Sequence, residues 1–496
     1  MSEAVSPAKR PELGEELELE VESLAFGGEG VARVGDGGFV VFVAGAIPGD
    51  RVRAVLHRRK RSYGHARTTE VLRPSPERIA PVADHPGVAW QVLPYERQLE
   101  IKDAQVHDAL ARLGGLDGYA HEEPVPAIER WRYRNKLEYS FGGGGEEGEL
   151  VCGFHFAAGA KRVAPISDCL LASELGNRAR EAALAWCRAE GLAAWDRGRA
   201  PGEPRGRPPQ PAADGRARLR NLVVREGRRT GVLQVRLVTT PGELDAGAFA
   251  AALSDELGAH LSGVLWTRSA SVAETTAGGD TELVAGEEQL PERLGDLDLL
   301  ISPGAFFQTN TEMAELLYGV AGEYAALQAW ERVYDLYCGI GTIALTLAPR
   351  AGEVWGIELV PEAVADAIDG ARRNEIRSTH FFAGDARLAM RELVERAGRP
   401  DVVVVDPPRA GLSKKVVHRI LEAGPKRIVY VSCNPTTLAP NAAEMVAGGY
   451  TLQRVRPVDM FPQTHHVECV AVLERSQSAR GHTAGPDAPA DADARE

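Results

Sequence analysis

Cys433 sits in the run Val431-Ser432-Cys433-Asn434-Pro435-Thr436-Thr437, directly after an apolar stretch that reads as a buried strand. A helix is expected to open near Pro435. That places the thiol at a helix N-terminus, where aligned backbone N–H groups favour the thiolate. Such a cysteine is a candidate nucleophile, although an arbitrary cysteine is more often buried and inert. Further along, Phe461-Pro462-Gln463-Thr464-His465-His466-Val467-Glu468 brings a carboxylate beside two imidazoles. Adjacent histidines lack the i, i+4 spacing of a helical metal site, so no metal is expected. Glu468 lies in the apolar segment VECVAVL. Desolvation there would raise its pKa and suit a general base; the plainer reading is a solvated strand carboxylate.

A second group of residues points to a cofactor. Asp335-Leu336-Tyr337-Cys338-Gly339-Ile340-Gly341-Thr342 joins an apolar strand to a helix. Its two glycines let the backbone approach a ligand closely, but the third glycine of a dinucleotide fingerprint is missing. Glu358 ends the next strand, Asp385 the third and Asp406 the fourth. One such acid is as often a helix N-cap. Three at successive strand ends fit a nucleoside without phosphates: Glu358 for a ribose diol, Asp385 for an adenine amino group. S-adenosylmethionine is such a molecule. In Asp406-Pro407-Pro408-Arg409 the proline pair fixes a loop at the same sheet edge. Methyltransferases that act on amino groups carry an aromatic after the pair, so Arg409 argues against an exocyclic amine as target.

The elements that must position these groups follow from the pattern. From about residue 300 apolar strands alternate with helices, and DVVVVD (401–406) and RIVYVS (427–432) are continuous apolar runs, as for strands buried on both faces. This is a doubly wound, Rossmann-like α/β domain, expected over 300–476. Residues 16–73 alternate as short strands with glycine turns and read as a small β-barrel of the kind used for RNA. Residues 74–299 are mixed α/β, with helices expected at 95–114 and 173–190 and a Pro/Gly/Arg-rich flexible insert at 198–215. Residues 1–15 and 477–496 read as a disordered arm and tail.

Composition sets outer bounds. The chain has 496 residues, enough for two or three domains. Its six cysteines are scattered without a C-x-x-C pair, so neither a disulfide framework nor a zinc site is expected. With no secretory signal and no long apolar run, a cytoplasmic protein without a membrane partner is expected, as a monomer. A net charge of -13 counts against nucleic acid, but Arg51–Arg61 and Arg130–Lys136 are basic runs, the second interleaved with Trp131 and Tyr133. Charge distribution outweighs the sum, and RNA is the expected partner.

Five segments taken together, SPGAFFQTN (302–310), DLYCGIGT (335–342), DPPRAGL (406–412), SCNPTTLA (432–439) and MFPQTHHVE (460–468), closely resemble the RNA uridine-5-methyltransferase family. The barrel resembles a TRAM domain and WRYRNKLEYSF (131–141) the family's central signature. The resemblance implies that Gln308, Tyr337, Gly339, Thr342, Glu358, Asp385 and Asp406 contact S-adenosylmethionine, with Cys433 as nucleophile and Glu468 as base. It implies methyl transfer to uridine C5, with 23S ribosomal RNA favoured over the tRNA T-loop because family enzymes acting on tRNA usually lack a TRAM domain. An exocyclic-amine enzyme and a non-catalytic RNA-binding protein are the rivals. Family members of the ribosomal type often hold an iron–sulfur cluster on four cysteines. Here 78–102 contains no cysteine and only Cys169 matches a ligand, so no cluster is expected. Pro440 and Asn441 replace the usual Arg and Asp.

Overall fold

The computed structural model describes residues 10–35, 38–143, 149–156, 162–195, 214–273 and 275–476. The expected tail, and the arm and insert apart from 10–15 and 214–215, lie outside the described residues.

The N-terminal strands, between Glu16 and Arg73, form a six-stranded, barrel-like sheet. Its alternation is clean: Val52, Ala54 and Leu56 are fully buried while His57–Ser62 are exposed. In the first basic run Arg51 pairs with Glu18 and Arg53 with Glu70, leaving Arg58, Lys60 and Arg61 outside any ion pair among the described residues. A seven-stranded sheet follows, covered by helices Glu174–Ala189 and Ala246–Leu257. Ser173 caps the first of these, its hydroxyl accepting from the Gly176 N–H.

The C-terminal sheet positions the chemistry. Its strands are β1 (Arg332–Leu336), β2 (Glu353–Glu358), β3 (Thr379–Ala383), β4 (Val402–Val405), β5 (Arg427–Ser432), β6 (Tyr450–Val458) and β7 (Glu468–Arg475), in spatial order 3-2-1-4-5-7-6. The first five run parallel, and β7 is antiparallel to β5 and β6. The four valines of β4 are fully buried, as both-face coverage requires. The order reverses between β1 and β4, and ligands of such sheets bind at the carboxyl edge of that switch point.

Residues 95–121, which the sequence division puts with the central region, pack on this sheet. Ala120–His121 adds an edge strand beside β6. Helix Tyr95–Gly114 buries Val106 and Leu110 against Leu438 and Ala439. Lys102, 1% exposed, donates to Asp459 at 2.6 Å and to the Phe461 carbonyl at 3.1 Å, tying this helix to the segment that leads into β7. The barrel reaches the same segment: at Gly28, φ +87°, a Cβ would meet His465 at 2.9 Å.

Candidate active site

The β1 turn is strained. Tyr337 (φ 66°), Gly339 (φ 54°) and Gly341 (φ 80°) take left-handed backbone. Only glycine suits position 341, because a Cβ there would also press on Ala367 and Phe381 at 2.9 and 3.0 Å. A Cβ at Gly339 would meet nothing within 4 Å, so that backbone faces open space. Buried Asp335 anchors the turn by accepting from the Ala344 N–H at 3.0 Å, at the start of the helix Thr342–Leu347.

The carboxyl ends of β1, β2, β4 and β5 surround a cavity of about 630 Å3. Glu358 is held by three backbone donors, the N–H groups of Gly339 (3.1 Å), Leu359 (2.7 Å) and Val360 (3.0 Å). Asp406 follows β4, and burial pushes its carboxyl up to about 7. Thr342 donates to the buried Tyr318 hydroxyl at 3.2 Å. Gln308 is 6% exposed, and its carbonyl accepts from Asn135 of the central signature at 2.8 Å. Asn310 caps the following helix and donates to the Met460 carbonyl at 3.0 Å, linking this strap to the approach to β7.

Cys433 and Glu468 meet through strand register. Ser432 of β5 pairs with Cys469 of β7, so one step further Cys433 comes opposite Glu468. Directly opposed antiparallel residues lie ~4.5–5.5 Å apart at Cα, with side chains on one face. Both line the cavity. Glu468 is 4% exposed. Burial first, then the nearby Asp406, raises its carboxyl well above the usual range, and Arg409 opposes the shift. The expectation of a desolvated Glu468 agrees with this.

Cys433 differs from expectation. It does sit at the N-terminus of helix Pro435–Ala447, yet its thiol is pushed up to about 11 rather than down. Burial is the largest cause, followed by Glu468 and Asp406; Arg409 and the thiol's own backbone bond are too weak to reverse them.

Eight of the nine residues singled out from sequence line this cavity: Gln308, Tyr337, Gly339, Thr342, Glu358, Asp406, Cys433 and Glu468. Asp385 does not. It caps helix Ala386–Ala397 and is clasped by Arg387. Sequence reading missed Tyr318, Phe306, Phe461 and, as a lining residue, Arg134. Arg134 sits over the Phe461 ring at 5.4 Å. The rest of its basic run is committed to protein: Arg130 to Glu96, Arg132 to Asp168 and Lys136 to Glu138. Asn441 gains a clear role. It accepts from the Leu412 N–H (2.8 Å) and the Tyr430 hydroxyl (3.0 Å) and donates to the Leu412 carbonyl (3.1 Å), clamping the Asp406–Leu412 loop onto the helix Pro435–Ala447 that follows Cys433.

His465 and His466 are pushed down to about 4 and about 3, by burial first, then for His465 by Arg409 and Lys102 and for His466 by its neighbour His465 and by Arg409. Cys169 is buried with its sulfur 3.3 Å from His85 Nε2, and among the described residues no three His, Cys, Asp or Glu side chains gather as a metal site.

Comparison with known proteins places this geometry. The family described as tRNA (Uracil-5-)-methyltransferase matches residues 288–476, and the TRAM domain matches residues 10–69. An uncharacterized RNA methyltransferase of Gloeobacter violaceus is 39% identical, over 93% of this chain and 97% of its own length. One from Halalkalibacterium halodurans is 34% identical over 96% and 99%. The crystal structure of Pyrococcus abyssi tRNA (uracil-54, C5)-methyltransferase in complex with S-adenosyl-L-homocysteine matches with a TM-score of 0.70 at 27% identity, covering 92% of this chain and 99% of that one. The chain belongs to the RNA uridine-5-methyltransferase family and carries that family's TRAM domain at its N-terminus.

Proposed function

We propose that the protein methylates C5 of a uridine in RNA, with Cys433 as nucleophile and Glu468 as base. The observation that carries this is that Cys433, one residue past the end of β5, and Glu468, at the start of β7, line one cavity together with Glu358 and Asp406.

The cavity fits S-adenosylmethionine on the chemistry of its walls. Glu358 keeps lone pairs for a diol, the backbone at Gly339 leaves room for close approach, and the acids suit a cationic sulfur. Gln308, Tyr337, Thr342 and Asp406 would complete the binding surface. Asp385 would join only after exchanging its bond to Arg387. When bound, S-adenosylmethionine supplies an electrophilic methyl group on a positively charged sulfur.

The chain's own residues do the rest. Uracil C5 is a poor nucleophile. The Cys433 thiolate adds to C6, and the electron pair of the C5–C6 double bond passes into the O4 enolate. C5 then takes the methyl group. Glu468 removes the C5 proton, the C5–C6 double bond re-forms and the C6–S bond breaks, returning Cys433 as thiolate. Burial and the neighbouring carboxyls push the Cys433 thiol up to about 11, and a cationic sulfur beside Asp406 would lower it. Glu468 needs its proton relayed away before it can serve as base.

Ribosomal RNA is the proposed substrate, on the presence of the TRAM domain. The tRNA T-loop is the second reading, favoured by the likeness to the Pyrococcus enzyme over nearly the whole chain. The test is digestion of RNA from a deletion strain to nucleosides, mass spectrometry for 5-methyluridine, and restoration by the purified protein. Restoration in the ribosomal fraction supports the first reading and in tRNA the second. Methylation of an exocyclic amine instead would refute both.

A further inference from the structure

A second cavity, of about 1100 Å3, lies between the central sheet and the methyltransferase domain. It shares Val360 with the first and is bounded by the loop 302–305, which leads into Phe306 and Gln308. Register explains its inner wall. Glu138 stands opposite Val223, which stands opposite Arg236; Lys136 stands opposite Arg225, which stands opposite Gln234. Opposed residues share a face, so these six form one patch with three cations and a single carboxylate.

Two of the cations are occupied. Lys136 pairs with Glu138 at 2.7 Å, and Arg225 donates to the carbonyls of Ser302 (2.9 Å) and Ala305 (2.6 Å). Arg236 is not. It is 8% exposed, it lines the cavity, and among the described residues its guanidinium has no hydrogen bond or ion pair, Glu138 acting on it only from beyond ion-pair distance. The other oxygen of Glu138 accepts from the Thr276 hydroxyl at 2.7 Å, so that carboxylate is already engaged. Burial disfavours the charged Arg236 guanidinium and Glu138 offsets only part of that, so an anion entering the cavity would stabilise it.

We propose that Arg236, with Lys136 beside it, binds one phosphodiester group of the substrate RNA, holding the strand next to the nucleotide whose base enters the first cavity. The inference rests on the RNA reading above. The guanidinium fork matches phosphate oxygens in pairs. At depth the wall sets Lys136 and Arg236 against the single carboxylate of Glu138, whereas Glu287, Glu288 and Glu362 stand exposed at the rim, suiting one phosphate rather than a long tract. Contacts of this kind set position, not sequence.

The test is Arg236→Gln in the full chain, assayed for methyl transfer to total RNA from a strain lacking the gene, across RNA and KCl concentrations. Binding of S-adenosylhomocysteine and the Tm are measured alongside. The KM for RNA should rise by roughly tenfold and the log–log salt slope should fall by about one. The kcat at saturating RNA and the S-adenosylhomocysteine affinity should stay within about twofold, and the Tm should not fall, because the guanidinium makes no hydrogen bond or ion pair that Gln would break. Arg236→Lys should restore the salt slope and only part of the KM. An unchanged KM and slope would overturn the proposal. So would a lowered Tm with parallel losses of kcat and S-adenosylhomocysteine binding, which would mark Arg236 as structural. Absence of methyl transfer by the wild type to any RNA would instead remove the functional reading on which the site depends.

Discussion

Replacing Glu468 with Gln separates what its carboxyl does for the fold from what it does for the reaction. The side chain is 4% exposed, and burial holds its proton well above the ordinary carboxyl value of 4.5. Gln keeps its shape and is neutral, so below the raised pKa the substitution removes no charge. A carboxyl whose pKa is higher folded than unfolded makes the native state bind more protons; its contribution is complete below the unfolded value and lost as pH rises through the folded one. Wild type and Glu468→Gln should therefore melt together near about pH 4, and the variant should gain on wild type as the pH rises from there. Asp406, pushed up to about 7, makes both proteins lose stability through neutrality. The reaction should respond differently. A positioned base contributes ~10²–10⁴-fold, or roughly 3–5 kcal/mol of barrier. Addition to C6 and methyl transfer do not need it, so the adduct of Cys433 with the methylated base should accumulate. On a denaturing gel with labelled RNA and S-adenosylmethionine, a slow band should appear with Glu468→Gln and vanish when Cys433→Ala is added. Normal turnover without a trapped band would refute the reasoning. His465 and His466 are poor substitutes, since groups held near 4 and 3 are weak bases at neutral pH.

Cys433→Ala should abolish methylation while S-adenosylhomocysteine affinity, read by calorimetry, stays within about twofold, because the thiol is needed for C6 attack and not for the acids that face the cofactor. The purified protein should be colourless and iron-free by metal analysis; a broad visible absorbance with about four irons per chain would show a cubane cluster instead. Lys102→Met should cost about 3–5 kcal/mol, a fall in Tm on the order of 10 °C by calorimetry, because it strands Asp459 in a site where both partners are 1% exposed. Adding Asp459→Leu should recover most of that loss.

Legibility followed the range of the interactions involved. The parallel strands were readable because β4 and β5 are apolar without interruption, and the turn at 337–341 because its glycines have no other use. The acid at 358 was readable because a strand end at a sheet edge is a local feature. Asp385 shows where that reasoning fails. A strand-end acid followed by a helix is also an N-cap, and only the tertiary arrangement decides which partner it takes. The Cys433 thiol failed for a similar reason: the helix N-terminus is visible in Asn434-Pro435, whereas the opposing carboxyls arrive from β4 and β7. Helix Tyr95–Gly114 was visible as a helix, but its attachment through Lys102 and Asp459 spans 357 residues. Arg236 gave no signal at all, since one arginine in VLQVRLVT looks like the polar side of a strand.

The net charge of -13, which argues against an RNA-binding chain, becomes intelligible once it is divided by location. Glu358, Asp406 and Glu468 face the cavity proposed for a cationic cofactor, where acidic groups are useful and phosphate has no place. Arg134 and Arg409 line the same cavity alongside Phe461 and His466; Arg409 donates to His466 at 3.0 Å, and both arginines can face an incoming polyanion. The exposed cations at 58–61 stand on the barrel, whose Gly28 turn touches His465. A protein that must hold a sulfonium and a phosphodiester strand a few ångströms apart needs opposite fields on the two sides of one base. Summing the chain's charges erases that separation. Arg409 also opposes the carboxyls that, with burial, raise the Cys433 thiol, so one of the charges that would receive RNA is among those that would ready the proposed nucleophile.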